Sequence, residues 1–217
     1  MFEICIFKET RMTTDKKDHI INIAIELFAE KGFEGTSIRD LAARADVNIA
    51  MVNYYFGSKD KLFEAIVEQK SSYMRSRIEE LENDKSISEI DKIDVIIEGY
   101  VDRFLSQPDF HKVLQQEMLV SQREEMHGRI IAIFAHNTRN VMTIIEKGIR
   151  KKIFKKVDPQ LTFASIIGTI NQVLLSRNLC NVLMEKDGKF NPYTDENFRK
   201  RLKTHIKQMI HAYLLDN

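Results

Sequence analysis

The sequence contains few residues that break helices and no long apolar run. Its 217 residues include only 8 glycines and 3 prolines, so few positions force the backbone to turn. No apolar stretch approaches the roughly 20 residues that a helix needs to cross a bilayer. The opening residues 1–7 are interrupted by Glu3 and lack the basic start of a signal peptide. We therefore expect a nearly all-helical protein that does not contact a membrane.

Cysteine is equally scarce, and the charges nearly balance. Cys5 and Cys180 lack CxxC spacing, and they cannot form a zinc cluster by themselves or a disulfide framework. This cysteine usage fits the reducing cytoplasm, and we expect neither a metal nor a cofactor. The 33 basic and 32 acidic residues give a formal charge of +1, so any surface for nucleic acid must come from a local arrangement.

Apolar residues recur at helical spacing from Thr14 onwards. The residues before Met12 leave two interpretations open, either a disordered arm or a start codon upstream of the native one. Hydrophobic residues make up 43% of the chain, which is enough for a buried core. The polar stretch 82–86 indicates a joint between two parts of the molecule. We predict about nine helices in all, with a loop over residues 184–195 before the last one.

The segment 36–62 contains the signals of two short helices joined by a tight turn. Ser37 and Asp40 have the spacing of a capping box, which begins a helix. Asp46 lies in the turn, and aspartate tolerates a left-handed backbone better than most residues other than glycine. Asn48 is a good N-cap for the following helix, which ends at Gly57. Two such helices form a helix-turn-helix, whose second helix enters the major groove of DNA.

This segment resembles the DNA-binding region of the TetR (tetracycline-repressor-like) family over residues 14–65. The matching residues are Leu27-Phe28-Ala29-Glu30-Lys31-Gly32-Phe33, the run 36–42, Val47-Asn48, Tyr54-Tyr55-Phe56, and Ser58-Lys59 with Leu62. The remainder of the chain matches in layout only. The resemblance implies an all-α fold with an N-terminal three-helix DNA-binding domain (14–60) that contains the helix-turn-helix. It also implies a C-terminal ligand-binding and dimerisation domain (61–217), with helix 59–81 connecting the two.

The resemblance further implies roles in DNA binding. Residues 48–50 occupy positions that face base edges, Thr36 and Lys59 positions that contact phosphate, and residues 54–55 positions that meet phosphate and groove. Asn53 departs from the tyrosine that is common in the family, and asparagine can read adenine. The predicted DNA-binding residues are Thr36, Arg39, Asn48, Ile49, Ala50, Asn53, Tyr54, Tyr55 and Lys59.

The net charge of this segment does not match a strongly basic DNA surface. Between Thr13 and Lys61, seven basic residues stand against eight acidic ones, which leaves a net charge of −1. A basic footprint is usual in domains that bind nucleic acid. We give the motif more weight than the count, because acidic residues of the first helix can face away from DNA. Non-specific binding is expected to be weak.

The resemblance implies two further sites in the C-terminal part. Helices between Ile87 and Ile153 are expected to enclose a mostly apolar ligand pocket, unless these side chains form a closed core. The candidate lining residues are Tyr100, Phe104, Leu114, Met118, Met142 and Ile145. The last two helices are expected to form a four-helix bundle with a second copy, unless both of their apolar faces are internal. The candidate dimerisation residues are Phe163, Ala164, Ile167, Gly168, Leu202, Ile206, Met209, Ile210 and Tyr213.

Two other functions compete with this interpretation. An enzyme or metal protein could be built on a helical bundle, and Glu124 and His127 have the Glu-x-x-His spacing of a di-iron site. Such a site needs a second pair, which the sequence lacks, and we expect no catalytic residues. A helical adaptor would not need the capped helix-turn-helix. We therefore expect a homodimeric regulator that binds operator DNA with dyad symmetry and is a repressor released by a small apolar effector. The effector itself is unknown, and the residues alone do not distinguish repression from activation.

Overall fold

A computed structural model of the chain describes residues 2–120, 123–186 and 190–216, with side chains described for residues 16–119, 123–186 and 190–216. In these ranges every regular element is a helix, as predicted. The helices are α1 (Phe2–Lys31), α2 (Ile38–Arg44), α3 (Ile49–Phe56), α4 (Lys59–Asn83), α5 (Glu89–Ser106), α6 (Pro108–Val120), α7 (Glu124–Arg150), α8 (Pro159–Val173), α9 (Arg177–Leu183) and α10 (Glu196–Leu214).

The chain packs into two compact units that interleave along the sequence. The first unit contains residues 1–70 and 109–131, and the second contains residues 71–108 and 132–217. This packing divides α4 near Lys70 and assigns most of α6 to the first unit. The functional boundary predicted between residues 60 and 61 is therefore not the boundary of packing, and it stays a prediction.

Aromatic side chains form the centre of the first unit. Phe28 of α1, Phe33 just after α1 and Phe63 of α4 pack with ring centroids 5.0, 5.5 and 6.1 Å apart. Leu41 of α2 and Val52 of α3 are completely buried. Helices as short as α2 and α3 are marginal on their own, so burial of these apolar faces is what holds them in place.

The second unit has a larger aliphatic core. Its buried side chains come from α4, α5, α7, α8, α9 and α10 and include Ile78, Ile93, Ile97, Val101, Val141, Ile144, Ile145, Ile166, Ile170, Leu202, Ile206 and Ile210. Each of these helices except α9, which contributes Cys180 alone, supplies residues three or four positions apart, as the apolar pattern predicted. Close packing of this kind fixes the helices against one another.

Charged side chains join α5 to α10 along one edge of this core. Lys203 Nζ lies 2.7 Å from Asp102 Oδ1, and Lys207 Nζ lies 2.5 Å from Glu98 Oε1. His211 Nε2 lies 2.7 Å from Asp94 Oδ1. Partners recur every four residues on both helices, which run in opposite directions, so the three pairs form a ladder.

The helices differ from the predicted ones in three ways. The first helix begins at Phe2 rather than at Thr14, and the sequence between them contains neither proline nor glycine to stop it. Helix α7 ends at Arg150 instead of Ile153, because Lys152 adopts a left-handed backbone with φ of 58°. The chain then folds back so closely that a Cβ on Gly148 would lie 2.1 Å from the Phe154 ring.

The third difference is an additional helix near the C-terminus. The residues before the loop at 184 form two helices, α8 and α9, so the described residues contain ten helices rather than about nine. Ser176 separates α8 from α9, because its side chain accepts a hydrogen bond from Leu179 N at 3.1 Å and caps α9. A serine that follows leucines is a weak signal in sequence, although serine is a favoured N-cap.

Candidate nucleic-acid interface

The connection from α1 to α2 is fixed by internal hydrogen bonds. Gly32 ends α1 with a left-handed φ of 76°, which glycine adopts without steric cost. The Thr36 hydroxyl donates to Gly32 O at 2.9 Å and to Leu27 O at 3.3 Å. Thr36 is only 1% exposed. The prediction that the Thr36 side chain contacts phosphate is therefore corrected, because that side chain is buried and holds the end of α1.

Helix α2 begins with the predicted capping box. Ser37 accepts a hydrogen bond from Asp40 N at 3.1 Å, and Asp40 Oδ2 accepts one from Ser37 N at 2.8 Å. The Ser37 hydroxyl also donates to Asp40, and these bonds hold the pKa of Asp40 below its usual value. The carboxylate therefore serves the first turn of α2, where a negative charge is favoured by the helix dipole.

The turn between α2 and α3 follows the predicted geometry. Asp46 has a left-handed φ of 52°, at the position where the TetR pattern usually has glycine. Asn48 Oδ1 then accepts a hydrogen bond from Met51 N at 2.7 Å and caps α3. The same asparagine side chain is exposed at the N-terminal end of α3, so it both begins the helix and faces solvent.

Helix α3 presents one continuous exposed face without formal charge. Ile49, Ala50, Asn53 and Tyr54 are all exposed, with Tyr54 at 84%. Val52 and Phe56 lie on the opposite face and are buried. Phe56 therefore belongs to the core, and Tyr54 does not share its face. A helix with its N-terminal residues open in this way has the form of a recognition helix.

The other aromatic residue of α3, Tyr55, is half-buried. It borders a cleft of about 450 Å³, lined by Lys17, Asp18, Ile21, Tyr55, Ala65, Glu68 and Gln69. Gln69 Nε2 donates to Asp18 Oδ1 at 2.6 Å across the cleft floor between α1 and α4. Of the two tyrosines predicted to contact DNA, Tyr54 is thus the more exposed.

Lys59, at the first position of α4, is engaged inside the unit. Its ammonium donates to Phe33 O at 2.8 Å and to Thr36 O at 2.9 Å, and it lies 4.4 Å from the centroid of the Phe33 ring. Burial lowers the pKa of Lys59. The lysine therefore ties α4 to the connection before α2, a role that its sequence position did not indicate.

Several acidic residues around the helix-turn-helix are also paired. Arg44 Nη2 lies 3.3 Å from Glu30 Oε1, and Lys31 Nζ lies 3.8 Å from Asp40 Oδ1. Arg39 is exposed on α2, and its contact with DNA stays a prediction. These ion pairs leave the net charge of −1 unchanged, because that count already includes all four residues.

The candidate ligand residues divide between the two units. Leu114 and Met118 belong to the first unit, whereas Tyr100, Phe104, Met142 and Ile145 belong to the second. Ile145 is completely buried and Phe104 nearly so, and both pack in the core of the second unit. Tyr100 is packed against the Phe163 ring with centroids 5.7 Å apart, and burial strongly raises the pKa of its hydroxyl.

A cleft in the second unit involves other residues. It measures about 160 Å³ and is lined by Tyr73, Met74, Arg77, Leu81, Val95, Ile96, Glu98, Gly99 and Asp102. None of the six predicted lining residues borders this cleft. The assignment of the six to one pocket stays a prediction.

The candidate dimerisation residues also divide into two groups. Leu202, Ile206 and Ile210 are 5%, 0% and 1% exposed and belong to the chain's own core. Their assignment to a partner surface is corrected, because buried side chains cannot reach a second copy. Phe163, Ile167 and Met209 are half-buried against the same core. Ala164, Gly168 and Tyr213 are exposed.

Two features are absent from the described parts of the chain. No helix there is long and apolar enough to cross a bilayer. No group of three or more histidine, cysteine, aspartate or glutamate side chains there is arranged to hold a metal ion.

The capped helix-turn-helix with the exposed face of α3 has the geometry of a DNA-binding unit. Residues 20–66 match the family model of bacterial regulatory proteins of the tetR family. Residues 85–216, more than half of the chain, match the tetracyclin repressor-like C-terminal domain. The chain belongs to the TetR family.

Similar proteins are named as regulators rather than as enzymes. The transcriptional regulator YttP of Bacillus subtilis is 48% identical over 58 residues, which is 27% of this chain and 28% of YttP. The transcriptional repressor NicS of Pseudomonas putida is 27% identical over 148 residues, covering 64% of this chain and 66% of NicS. The chain thus spans less than two thirds of these relatives.

Solved structures share the fold at lower identity. FadR from Bacillus subtilis, solved in complex with stearoyl-CoA, has a TM-score of 0.70 and 21% identity, covering 88% of this chain and 96% of FadR. The fatty acid degradation regulator FadR from Bacillus halodurans has a TM-score of 0.71 and 19% identity, covering 90% of this chain and 94% of that protein. At this identity the likeness establishes the fold alone.

Proposed function

We propose that this protein is a transcriptional repressor that binds a dyad-symmetric operator as a homodimer and that a small apolar ligand releases from DNA. The observation that carries the proposal is the exposed, uncharged face of α3 between Asn48 and Tyr54. Base edges in the major groove are read by side chains such as asparagine and by apolar contacts with thymine methyl groups. In this proposal the domain 14–60 reads DNA, the domain 61–217 binds ligand and partner, and α4 connects them.

The exposed face of α8 supports a homodimer. Leu161, Ala164 and Gly168 are exposed at helical spacing on α8, and Leu175 is exposed just after it, so a second copy could approach the α8 backbone closely at the two small residues. Tyr213 adds exposed aromatic surface on α10. A stable interface of this kind buries more than about 1,000 Å² in total. Light scattering of the DNA-free protein at micromolar concentration should show a dimer, and a monomer would exclude this face as a stable interface.

An apolar effector is supported by the composition of the second unit and by a structural neighbour. FadR from Bacillus subtilis was solved in complex with stearoyl-CoA. Here Tyr100 combines a half-buried ring with a polar tip, which suits orientation of an apolar ligand. Such a ligand acts only if it prefers one conformation of the dimer over the other. The test is a panel of apolar metabolites scored by operator release and thermal shift. If Tyr100→Ala and Phe104→Ala variants that fold respond unchanged, the pocket lies elsewhere.

Selection of binding sites from random DNA is the experiment that tests the proposed function. We expect the purified protein to enrich sequences with a dyad whose half-sites lie about one helical turn apart. Enriched sequences without a dyad would contradict the proposal. Tyr54→Ala should weaken binding to every sequence, whereas Ile49→Ala should change the preference at particular base pairs. Arg150→Gln, which changes an exposed cation at the end of α7, is the matched control and should bind as the wild type does.

A further inference from the structure

Arg123, just before α7, packs against the segment that contains the helix-turn-helix. Its guanidinium carbon lies 4.3 Å from the centroid of the Phe33 ring. The side chain pairs with Glu34, and its Nε lies 3.8 Å from Asp60 Oδ1. Its Nη1 donates to Glu117 Oε2 at 2.8 Å. One side chain thereby reaches the connection after α1, the first turn of α4 and the end of α6.

The partners of Arg123 form a compact network around one aromatic ring. Lys59 lies 4.4 Å from the centroid of the same ring, so two cations contact Phe33, which is an attractive arrangement for an aromatic face. Glu117 is buried on α6, burial raises its pKa, and its backbone oxygen lies 2.9 Å from His127 Nε2. We name the Phe33 cluster as Phe33, Glu34, Lys59, Asp60, Glu117 and Arg123.

The Phe33 cluster touches both ends of the helix-turn-helix. Helix α2 begins at Ile38, shortly after Phe33 and Glu34, and α3 ends at Phe56, shortly before Lys59 and Asp60. The backbone of this connection is held by Lys59 through Phe33 O and Thr36 O. A contact that fixes both flanks of the motif also fixes the direction in which α3 faces solvent, even without touching α3.

We propose that Arg123 is a positioning residue for operator binding, which holds α3 in the orientation that reads DNA. The proposal rests on the proposed function, because it assumes that α3 reads an operator. Other contacts keep α6 and α7 attached when Arg123 is changed. Lys112 Nζ donates to Ala29 O at 3.0 Å, and Arg129 Nε donates to Glu64 Oε1 at 2.7 Å. A substitution at position 123 is therefore expected to preserve the fold.

The experiment compares Arg123→Gln, Arg123→Lys and the control Arg150→Gln on the selected operator. Affinity is measured at several salt concentrations, together with thermal unfolding. Arg123→Gln should weaken binding by about tenfold, a common size for coupling between separate sites, with the salt dependence unchanged. Arg123→Lys keeps the charge but loses the forked geometry, and it should bind with intermediate affinity. Arg150→Gln should match the wild type.

The other possible results overturn either the role of Arg123 or the proposed function. Affinity of Arg123→Gln within about twofold of the wild type overturns the proposal. A weaker affinity accompanied by a salt slope reduced by about one indicates a direct phosphate contact and also overturns it. If Arg123→Gln does not fold, Arg123→Lys decides by the same two criteria. A wild-type protein that selects no operator would overturn the proposed function itself, whereas a selected operator bound equally by all variants overturns only the role of Arg123.

Discussion

The helix-turn-helix of the first unit and the α5–α10 edge of the second use polar side chains in different ways. In the helix-turn-helix they cap short helices over a few residues, as Ser37 does with Asp40 and Asn48 with Met51. At the α5–α10 edge they join helices that are far apart in sequence, as Lys203 does with Asp102 and Lys207 with Glu98. Caps define where a helix begins and how it enters the next turn, whereas the ladder defines which helices are neighbours.

This difference fits the structural role of each region. The first unit must display α3 with an open face, and the caps at the helix ends leave Ile49, Ala50, Asn53 and Tyr54 accessible. The second unit must hold a large aliphatic core together, and the ladder lies at the edge of that core. Loss of a cap should therefore change how DNA is read, and loss of a core side chain should change stability.

The largest effect is expected for Ile206→Ala. Ile206 is completely buried in the second unit, and truncation of a core isoleucine costs about 2–5 kcal/mol of unfolding free energy. Urea denaturation at two protein concentrations checks this prediction. Gln208→Ala, on the exposed side of α10, is the control and should be nearly neutral. A loss below about 1 kcal/mol at Ile206 would contradict its place in the core.

Substitutions at Asn48 separate the cap from base reading. Asn48→Ser retains a capping oxygen, so its main effect should be a change in base preference of about 1–3 kcal/mol at one base pair. Asn48→Ala should show the same change in base preference. It should also lower the unfolding free energy by about 1 kcal/mol, because the cap of α3 is removed. The measurements are operator selection and thermal unfolding.

The matched change in the second unit is Ser88→Ala, which removes the cap of α5. It should lower stability by about 1 kcal/mol and leave operator affinity unchanged in the folded protein. Equal base preferences for Asn48→Ser and the wild type would show that Asn48 acts as a cap only.

Acid should weaken the second unit through Glu89. This carboxylate is buried and paired with Lys151 and Lys92, whose hydrogen bonds hold its pKa below the usual value despite burial. A lowered pKa in the folded state contributes stability above the pKa of the unfolded chain, and that contribution is lost as pH falls. The window lies between the ordinary value, about 4.3, and the lower folded value.

The measurement is the unfolding free energy of the wild type and of Glu89→Gln as a function of pH. The difference between the two curves should shrink as pH falls through this window. A constant difference would show that ionisation of Glu89 does not contribute. Asp40 and Asp84, whose pKa values are also lowered by nearby serines, should add the same slope to both curves.

The smallest effect on stability is expected at Gly168. A Cβ at this position meets no atom within 4 Å, so Gly168→Ala should stabilise α8 by about 0.5–1 kcal/mol within one chain. If a second copy packs against α8, the added methyl group should instead weaken the dimer. Thermal unfolding and light scattering over a dilution series distinguish these results. An unchanged dimer would exclude close approach at Gly168.

Much of the DNA-reading unit could be predicted because its signals are local. The capping box at Ser37, the turn at Asp46 and the cap at Asn48 each involve residues within a few positions of one another. Local hydrogen bonding limits the backbone regardless of the rest of the molecule. The correction in this unit, Thr36, concerns a side chain whose partner was assigned by analogy.

The amino-acid sequence alone determined the helical class, the helix-turn-helix and the face of α3 that is apolar and therefore buried. The tertiary structure alone decided which apolar residues of α10 face the chain's own core, and it placed Arg123 beside Phe33. Helical periodicity identifies an apolar face but not the element that covers it. Contacts between residues distant in sequence depend on how whole helices pack, and no local pattern near Arg123 or Lys59 records that packing.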